Sequence, residues 1–333
     1  MKRLNVLDRP GVAGRKKHQH VVPLGGGIAI FCSFFLVVGF LFFRGTFFTN
    51  ELGRNILGLF FGGLILMIGG FLDDRFNLKA RYQFFYAFLA VFTVIAFGIG
   101  PHIISNPFGG VWRLDHIAIP LSGIGRIVVF ADLMVFLWLV GMMYTTKFLD
   151  GLDGLATGIV AIGAFVLCAL NLQERWYDPE IATLAFIFAG ALCGFLIFNF
   201  HPAKIFLGDG GSLFVGFMLG SLAVLSGGKI ATTFLVLGVP ALDVARVILR
   251  RLQRRQSVFL GDREHLHYLL IDSGFGHKQT VYLLYGISLL FGMSALFLQS
   301  SQQIFAFILL FIIMLFVGVW FSGKQRSSPQ DKP

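Results

Sequence analysis

Five aspartates carry most of the chemistry this sequence offers: the adjacent Asp73 and Asp74 in GGFLDDRFNLKAR, Asp150 and Asp153 in FLDGLDGLATG, and Asp209 in NFHPAKIFLGDGGS. Each stands at the end of an apolar run with glycine nearby. Carboxylates gathered in this way suit a hard divalent cation that takes oxygen ligands and keeps waters to exchange for a phosphate. Mg2+ is the natural candidate, with Mn2+ as an alternative. Asp150 and Asp153 are three residues apart, a spacing that on a helix places both on one face. Asp209 precedes a glycine-rich turn that opens an apolar segment near Ser212, where free backbone N–H groups attract phosphate oxygens. Arg75, Lys79, Arg81 and Lys204 add the positive charge that a phosphoryl group needs for its spread anionic charge. The set fits a phosphate-handling enzyme.

Taken singly, each element has a plainer reading. Asp73 and Asp74 alone describe a solvated helix end, and DGLDG alone a turn with a capping aspartate. His265 and His267 in DREHLHYLL read as a solvated pair or as ligands, and RRLQRR at 250–255 as a membrane-edge anchor. Asp243 and Arg246 are one helical turn apart, which makes a local ion pair, with a place lining the site as the alternative. Asp132 reads as interfacial.

The elements that position these residues are transmembrane helices. The chain has 333 residues, 56% hydrophobic and 13% charged, with 40 Phe, 41 Gly and a mean hydropathy of +0.80, which excludes a soluble globular domain. The basic start leads into an apolar run with no cleavable signal, so the first span is expected to serve as its own insertion signal. Cys32, Cys168 and Cys193 fall in apolar segments without paired spacing and read as inert thiols. The net charge of +10 points to anionic headgroups and a phosphorylated substrate, because no soluble region is large enough to bind nucleic acid. Ten segments approach the roughly 20 apolar residues a span needs: 24–43, 55–72, 82–100, 127–145, 154–171, 181–198, 211–226, 230–249, 281–298 and 303–322. With both termini on one side, the loops of that side hold 20 of the 27 Lys and Arg residues and the opposite loops hold six. By the positive-inside rule the N-terminus is cytoplasmic. Asp73 and Asp74, Asp150 and Asp153, Asp209, and His265 and His267 then all emerge on the cytoplasmic face, and the opposite loops hold no comparable cluster. A transporter, the rival class, would tend to place its carboxylates at the midplane in paired repeats, and no internal repeat is evident.

In order, RKKHQHVVPLGGGIAI, GGFLDDRFNLKAR, FLDGLDGLATG, FNFHPAKIFLGDGGSLFVG and DREHLHYLLIDSGFGHKQTV resemble the motifs of the polyprenyl-phosphate N-acetylhexosamine-1-phosphate transferases, across most of the chain. The last two are more similar to the branch using UDP-N-acetylglucosamine than to the phospho-muramoyl-pentapeptide transferases, which stand as the alternative. The resemblance implies an all-α bundle of about ten spans in the bacterial plasma membrane, forming one domain over 1–333. It also implies a cytoplasmic groove open to the bilayer, a cap over it from 250–280 and a disordered tail at 323–333. It implies undecaprenyl phosphate and a UDP-sugar as substrates, undecaprenyl-diphospho-sugar and UMP as products, and bilayer lipids as surroundings; monomer and homodimer both stay open. Residue by residue, Asp209 matches the Mg2+-binding aspartate. Asp73 and Asp74 match the pair proposed to activate the lipid phosphate, and Asp150 and Asp153 match carboxylates around nucleotide and metal. Asn199 matches the asparagine before HPAKIF, and His265 and His267 match the histidine motif near diphosphate or sugar. Three departures accompany the match: Lys147 stands where the family usually has asparagine, Tyr268 where the histidine motif usually ends in histidine, and a further span is expected before the opening loop.

Overall fold

A computed structural model describes residues 6–8, 21–45, 49–100, 103–105, 111–113, 118–121, 125–227, 230–255 and 264–298, together with 302–303, 305–306, 308–313 and 316. The fold is a helical membrane bundle. Its helices are α1 (Gly26–Phe43), α2 (Asn50–Phe76), α3 (Ala80–Ala96), α4 (Val129–Leu149), α5 (Leu155–Asn171) and α6 (Pro179–Asn199). They continue with α7 (Asp209–Leu225), α8 (Ile230–Val236), α9 (Gly238–Gln253), α10 (Leu266–Asp272) and α11 (His277–Phe297). Five of these, α1, α2, α4, α6 and α11, are long and apolar enough to cross a bilayer, and α3, α5 and α7 are shorter apolar helices. Large side chains such as Phe43, Phe92, Ile197 and Phe297 point outward, as a lipid-facing surface requires.

Eight of the ten expected segments coincide with single helices among the described residues. The segment 230–249 differs in being divided into α8 and α9 at Leu237. Pro240 supplies the cause, since it has no N–H to offer the preceding turn and its ring crowds the carbonyl there. The segment 303–322 lies only partly within the described residues, of which 308–313 are helical. The tail 323–333, residues 256–263 of the expected cap and 9–20 of the opening loop lie outside them. Short antiparallel ladders decorate the bundle: β1 (Leu7–Asp8) with β2 (Val22–Pro23), β3 (Ile103–Ser105) with β4 (Val111–Arg113), and β5 (Ala118–Leu121) with β6 (Gly125–Val128).

Local sequence explains the helix ends. Asp178 caps α6 by accepting the Ile181 N–H at 3.0 Å, with Pro179 in the first turn where its missing N–H costs nothing. Asn77 ends α2 in the left-handed region, a conformation asparagine tolerates better than most residues.

Helix α7 is the centre of the molecule, with every residue from Gly210 to Val224 buried. Helices α1 and α2 reach it through glycine. A methyl group at Gly27 would lie 2.3 Å from the Gly211 Cα, and one at Gly70 would lie 2.1 Å from the Gly210 Cα. Here the three motifs GGG, IGG and GDGG pack backbone on backbone, which no larger residue permits. On another side α4 fits against α7, where the Thr146 hydroxyl donates to the Ser212 carbonyl at 2.7 Å and the Trp138 indole N–H to Gly220 at 3.0 Å. The loop before α7 is tied to the start of α1, since the Gly26 and Gly27 N–H groups donate to Phe206 and Leu207, each at 3.0 Å.

Gly70→Ala is expected to destabilise the protein by about 2 kcal/mol through overpacking against backbone, whereas Gly190→Ala, whose added methyl meets nothing within 4 Å, leaves thermal unfolding in detergent unchanged or slightly raised.

Candidate active site

The glycine junction brings the acidic motifs together. Asp74, in the last turn of α2, accepts the Asp209 backbone N–H on Oδ1 at 3.0 Å. It caps α7 from a neighbouring helix, and a carboxylate there also meets the positive end of the helix dipole. The residue before Asp209 is Gly208, at φ +81°, and a methyl group on it would stand 2.5 Å from Asp74 Oδ2. This corrects the expectation of an open phosphate-binding helix start near Ser212. The helix begins at Asp209 itself, its first N–H is taken by Asp74, and the next two residues are buried against Gly70 and Gly27.

Asp73 is buried and fully engaged. Its Oδ1 accepts from the Leu78 N–H at 2.9 Å and from Gln83 Nε2 at 3.1 Å, and its Oδ2 accepts from the Tyr86 hydroxyl at 3.3 Å. Gln83 in turn accepts from Lys147 Nζ at 2.9 Å, and the same ammonium lies 3.3 Å from Asp209 Oδ2. A single polar chain thus runs from Asp73 through Gln83 and Lys147 to Asp209, joining α2, α3, α4 and α7.

Asp150 and Asp153 do not share a helical face. Asp150 is the C-cap of α4 and Asp153 lies in the turn before α5, because Gly151 and Gly154 break the helix, Gly154 at φ +79°. Asp150 faces the cluster: burial first, and then the charges of Asp209, Asp153 and Asp74, push its carboxyl up to about 8. Asp153 turns to the loop after α6. Its Oδ2 accepts from the His201 Nδ1–H at 2.8 Å and from the Ala203 N–H at 3.1 Å. His201 stacks on His277 with ring centres 4.1 Å apart, and donor atoms of Asp153, His201 and His277 lie within 4.8 Å of one another.

The histidine segment packs over this turn. His267 is buried, and a methyl group at Gly151 would meet its Nε2 at 2.4 Å, while the Tyr268 hydroxyl donates to the Gly151 carbonyl at 3.3 Å. Burial, followed by the charge of His265, pushes the His267 imidazole down to about 3. It is therefore neutral at physiological pH, and its buried Nε2 has no hydrogen-bond partner among the described residues. His265 faces the other way. Its Nδ1–H donates to Asp243 Oδ2 at 3.0 Å, the Leu266 N–H donates to the same oxygen at 2.9 Å, and Phe148 stacks on its ring. Asp243 makes the expected pair with Arg246, at 2.7 Å, and Arg246 also donates to the Glu264 carbonyl. The pair is thus a clamp on the histidine segment.

Other expected site residues stand differently. Asn199 is buried, with Oδ1 accepting from the Thr157 hydroxyl at 2.9 Å and Nδ2 donating to the Ile205 carbonyl at 3.0 Å. Through these two bonds it holds the HPAKIF loop against α5. Lys79 and Lys204 are exposed, and the exposed Arg81 folds over the Tyr82 ring. The sequence reading missed Gln83, His201, His277 and the clamping role of Asp243, and it met Lys147 only as a departure from a motif. Apart from the Asp243–Arg246 pair, these contacts lie at no diagnostic spacing, because each joins segments distant in the chain.

What the fold and site define is a polytopic membrane protein with carboxylates gathered at the ends of glycine-packed helices. Residues 56–227 match the family described as glycosyl transferase family 4. The chain belongs to that family. It is 30% identical to a Bacillus subtilis protein named a probable undecaprenyl-phosphate N-acetylglucosaminyl 1-phosphate transferase, over 95% of this chain and 84% of the relative. It is 29% identical to an undecaprenyl-phosphate alpha-N-acetylglucosaminyl 1-phosphate transferase from Thermotoga maritima, over 95% and 89%. It is 33% identical to a decaprenyl-phosphate N-acetylglucosaminephosphotransferase from Mycolicibacterium smegmatis, over 72% of this chain and 63% of that one.

Two outcomes are expected. Between pH 4 and 8 the native protein without metal keeps a proton on Asp150 that the unfolded chain has released, since the carboxyl rises from 3.8 to about 8 on folding. Stability in chelator therefore falls as pH rises through that window, and Asp150→Asn flattens the dependence of the unfolding midpoint. Asp243→Ala leaves Arg246 and His265 uncompensated and costs about 3 kcal/mol, with hydrogen exchange rising over residues 264–272.

Proposed function

We propose that the protein transfers N-acetylglucosamine 1-phosphate from UDP-N-acetylglucosamine to undecaprenyl phosphate, giving undecaprenyl-diphospho-N-acetylglucosamine and UMP. The observation that carries this reading is the junction of Asp74 with the first N–H of α7, which sets the acidic pair of one motif against the aspartate of another. It is supported by the family and by the names of its relatives. The positive-inside count supports a cytoplasmic site in a bacterial plasma membrane.

An oxygen of the lipid phosphate attacks the β-phosphorus of the nucleotide sugar, a new P–O bond forms, and the bond to the α-phosphate oxygen breaks as UMP leaves. Asp209 is suited to hold Mg2+, because its side chain is 43% exposed, and Asp150, beside it in charge, would share the ion. Burial first, and then the neighbouring carboxylates, make Asp150 costly to ionise without a counter-cation, and a hard dication fits such an oxygen donor set. When bound, Mg2+ would neutralise charge on the diphosphate. Asp74, at the end of α2, is assigned to the lipid phosphate, with the buried Asp73 beside it holding Leu78 and Gln83 in position. Along α3 and α4 from this level run Phe84 stacked on Tyr144 at 4.7 Å, then Phe88 with Phe136 at 5.1 Å and Phe92 with Phe136 at 5.2 Å. That aromatic strip suits a polyprenyl tail. The neutral His267, packed against the Gly151 turn, is assigned to the diphosphate and sugar side of the site.

UMP release by purified protein given undecaprenyl phosphate and Mg2+ is the test. Turnover is expected with UDP-N-acetylglucosamine and not with UDP-muramoyl-pentapeptide, and Asp209→Asn should lower it by about 10³-fold. Turnover with the pentapeptide donor alone would move the protein to the other branch.

A further inference from the structure

We propose that Lys147 is the resident counter-ion of Asp209 and competes with the divalent cation for that carboxylate, so that a lysine of the chain sets its metal affinity. The proposal rests on the reading of Asp209 as the metal-holding residue. Lys147 lies in the last turn of α4, three residues before Asp150. Its side chain is 17% exposed, against 43% for Asp209. The ammonium is therefore enclosed while the carboxylate it faces is open to solvent. Its direction is fixed from two sides, by Gln83 Oε1 at 2.9 Å and Asp209 Oδ2 at 3.3 Å, and Gln83 is held in turn by its bond to Asp73.

A dication taken up by Asp209 would meet this ammonium at close range in a partly buried site, where repulsion between like charges is screened far less than in water. Either the lysine withdraws or the ion binds more weakly. A lysine can withdraw, because it carries a point charge on a flexible stem with rotatable donors and no planar fork to disengage. The arrangement leaves the acidic cluster partly compensated without metal and makes every metal-binding event an exchange of one cation for another. The glycine contacts that assemble the site do not involve Lys147, so its charge can be removed without disturbing them.

The test is Mn2+ binding to the full-length protein in detergent, read from the electron paramagnetic resonance signal of free Mn2+, with the unfolding midpoint measured alongside. Lys147→Gln and Lys147→Met should each bind Mn2+ about tenfold more tightly than the unaltered chain, with a lower midpoint in chelator and a larger rise on adding Mn2+. Lys147→Arg, which keeps the charge, should stay near the starting affinity. Equal or weaker binding by both neutral variants, with a site still abolished by Asp209→Asn, overturns the competition while leaving the assignment of Asp209 intact. Binding that survives Asp209→Asn overturns the assignment and the competition together.

Discussion

A carboxylate of one helix capping another is the constraint on which this molecule is built. The first N–H groups of α7 have no partner within their own helix, and Gly208, at the N-cap, has no side chain to offer. Asp74 supplies the acceptor from α2. It reaches Asp209 only because Gly70 and Gly210 let the helix backbones touch, and because Gly208 leaves room for its second oxygen. Fold and site therefore share one set of atoms: whatever separates α2 from α7 also separates the carboxylates.

Around this point the structure keeps two electrostatic regimes apart. On the aspartate side, carboxylates from three motifs gather about one enclosed lysine, and burial together with their mutual repulsion raises Asp150. Across the Gly151 turn the histidine segment is internally balanced. Asp243 meets Arg246 and His265, and burial keeps His267 neutral. A site that handles diphosphate benefits from such a division, since one wall can take up cations while the other offers neutral hydrogen-bonding groups.

The sequence disclosed most of this at the level of elements. Apolar length located the helices, and positively charged loops sorted their ends, because both follow from the cost of polar groups in hydrocarbon. The five aspartates were legible because each interrupts an apolar run. The partnerships among them were not. The three-residue spacing of Asp150 and Asp153 suggested a helical face, but flanking glycines make the segment a turn. The GDGG stretch suggested an open anion site, yet a residue 135 positions away fills it. Asn199, legible through its motif, serves the backbone of its own loop. Lys147, Gln83 and Asp243 act across helix boundaries, where spacing along the chain carries no information about distance in space.

The complete burial of α7 bears on how the protein is made. This helix opens with an aspartate and three small polar or glycine residues, and it shows lipid none of the residues between Gly210 and Val224. Its neighbours α1, α2 and α4 precede it in the chain, so the slot that receives it is already synthesised when it emerges. Docking of α7 into that slot supplies Asp209, while α8 to α11, which carry the histidine segment, follow it in the chain and pack on α4, α5 and α7. A chain in which α7 has not docked thus holds its acidic pair without the third motif.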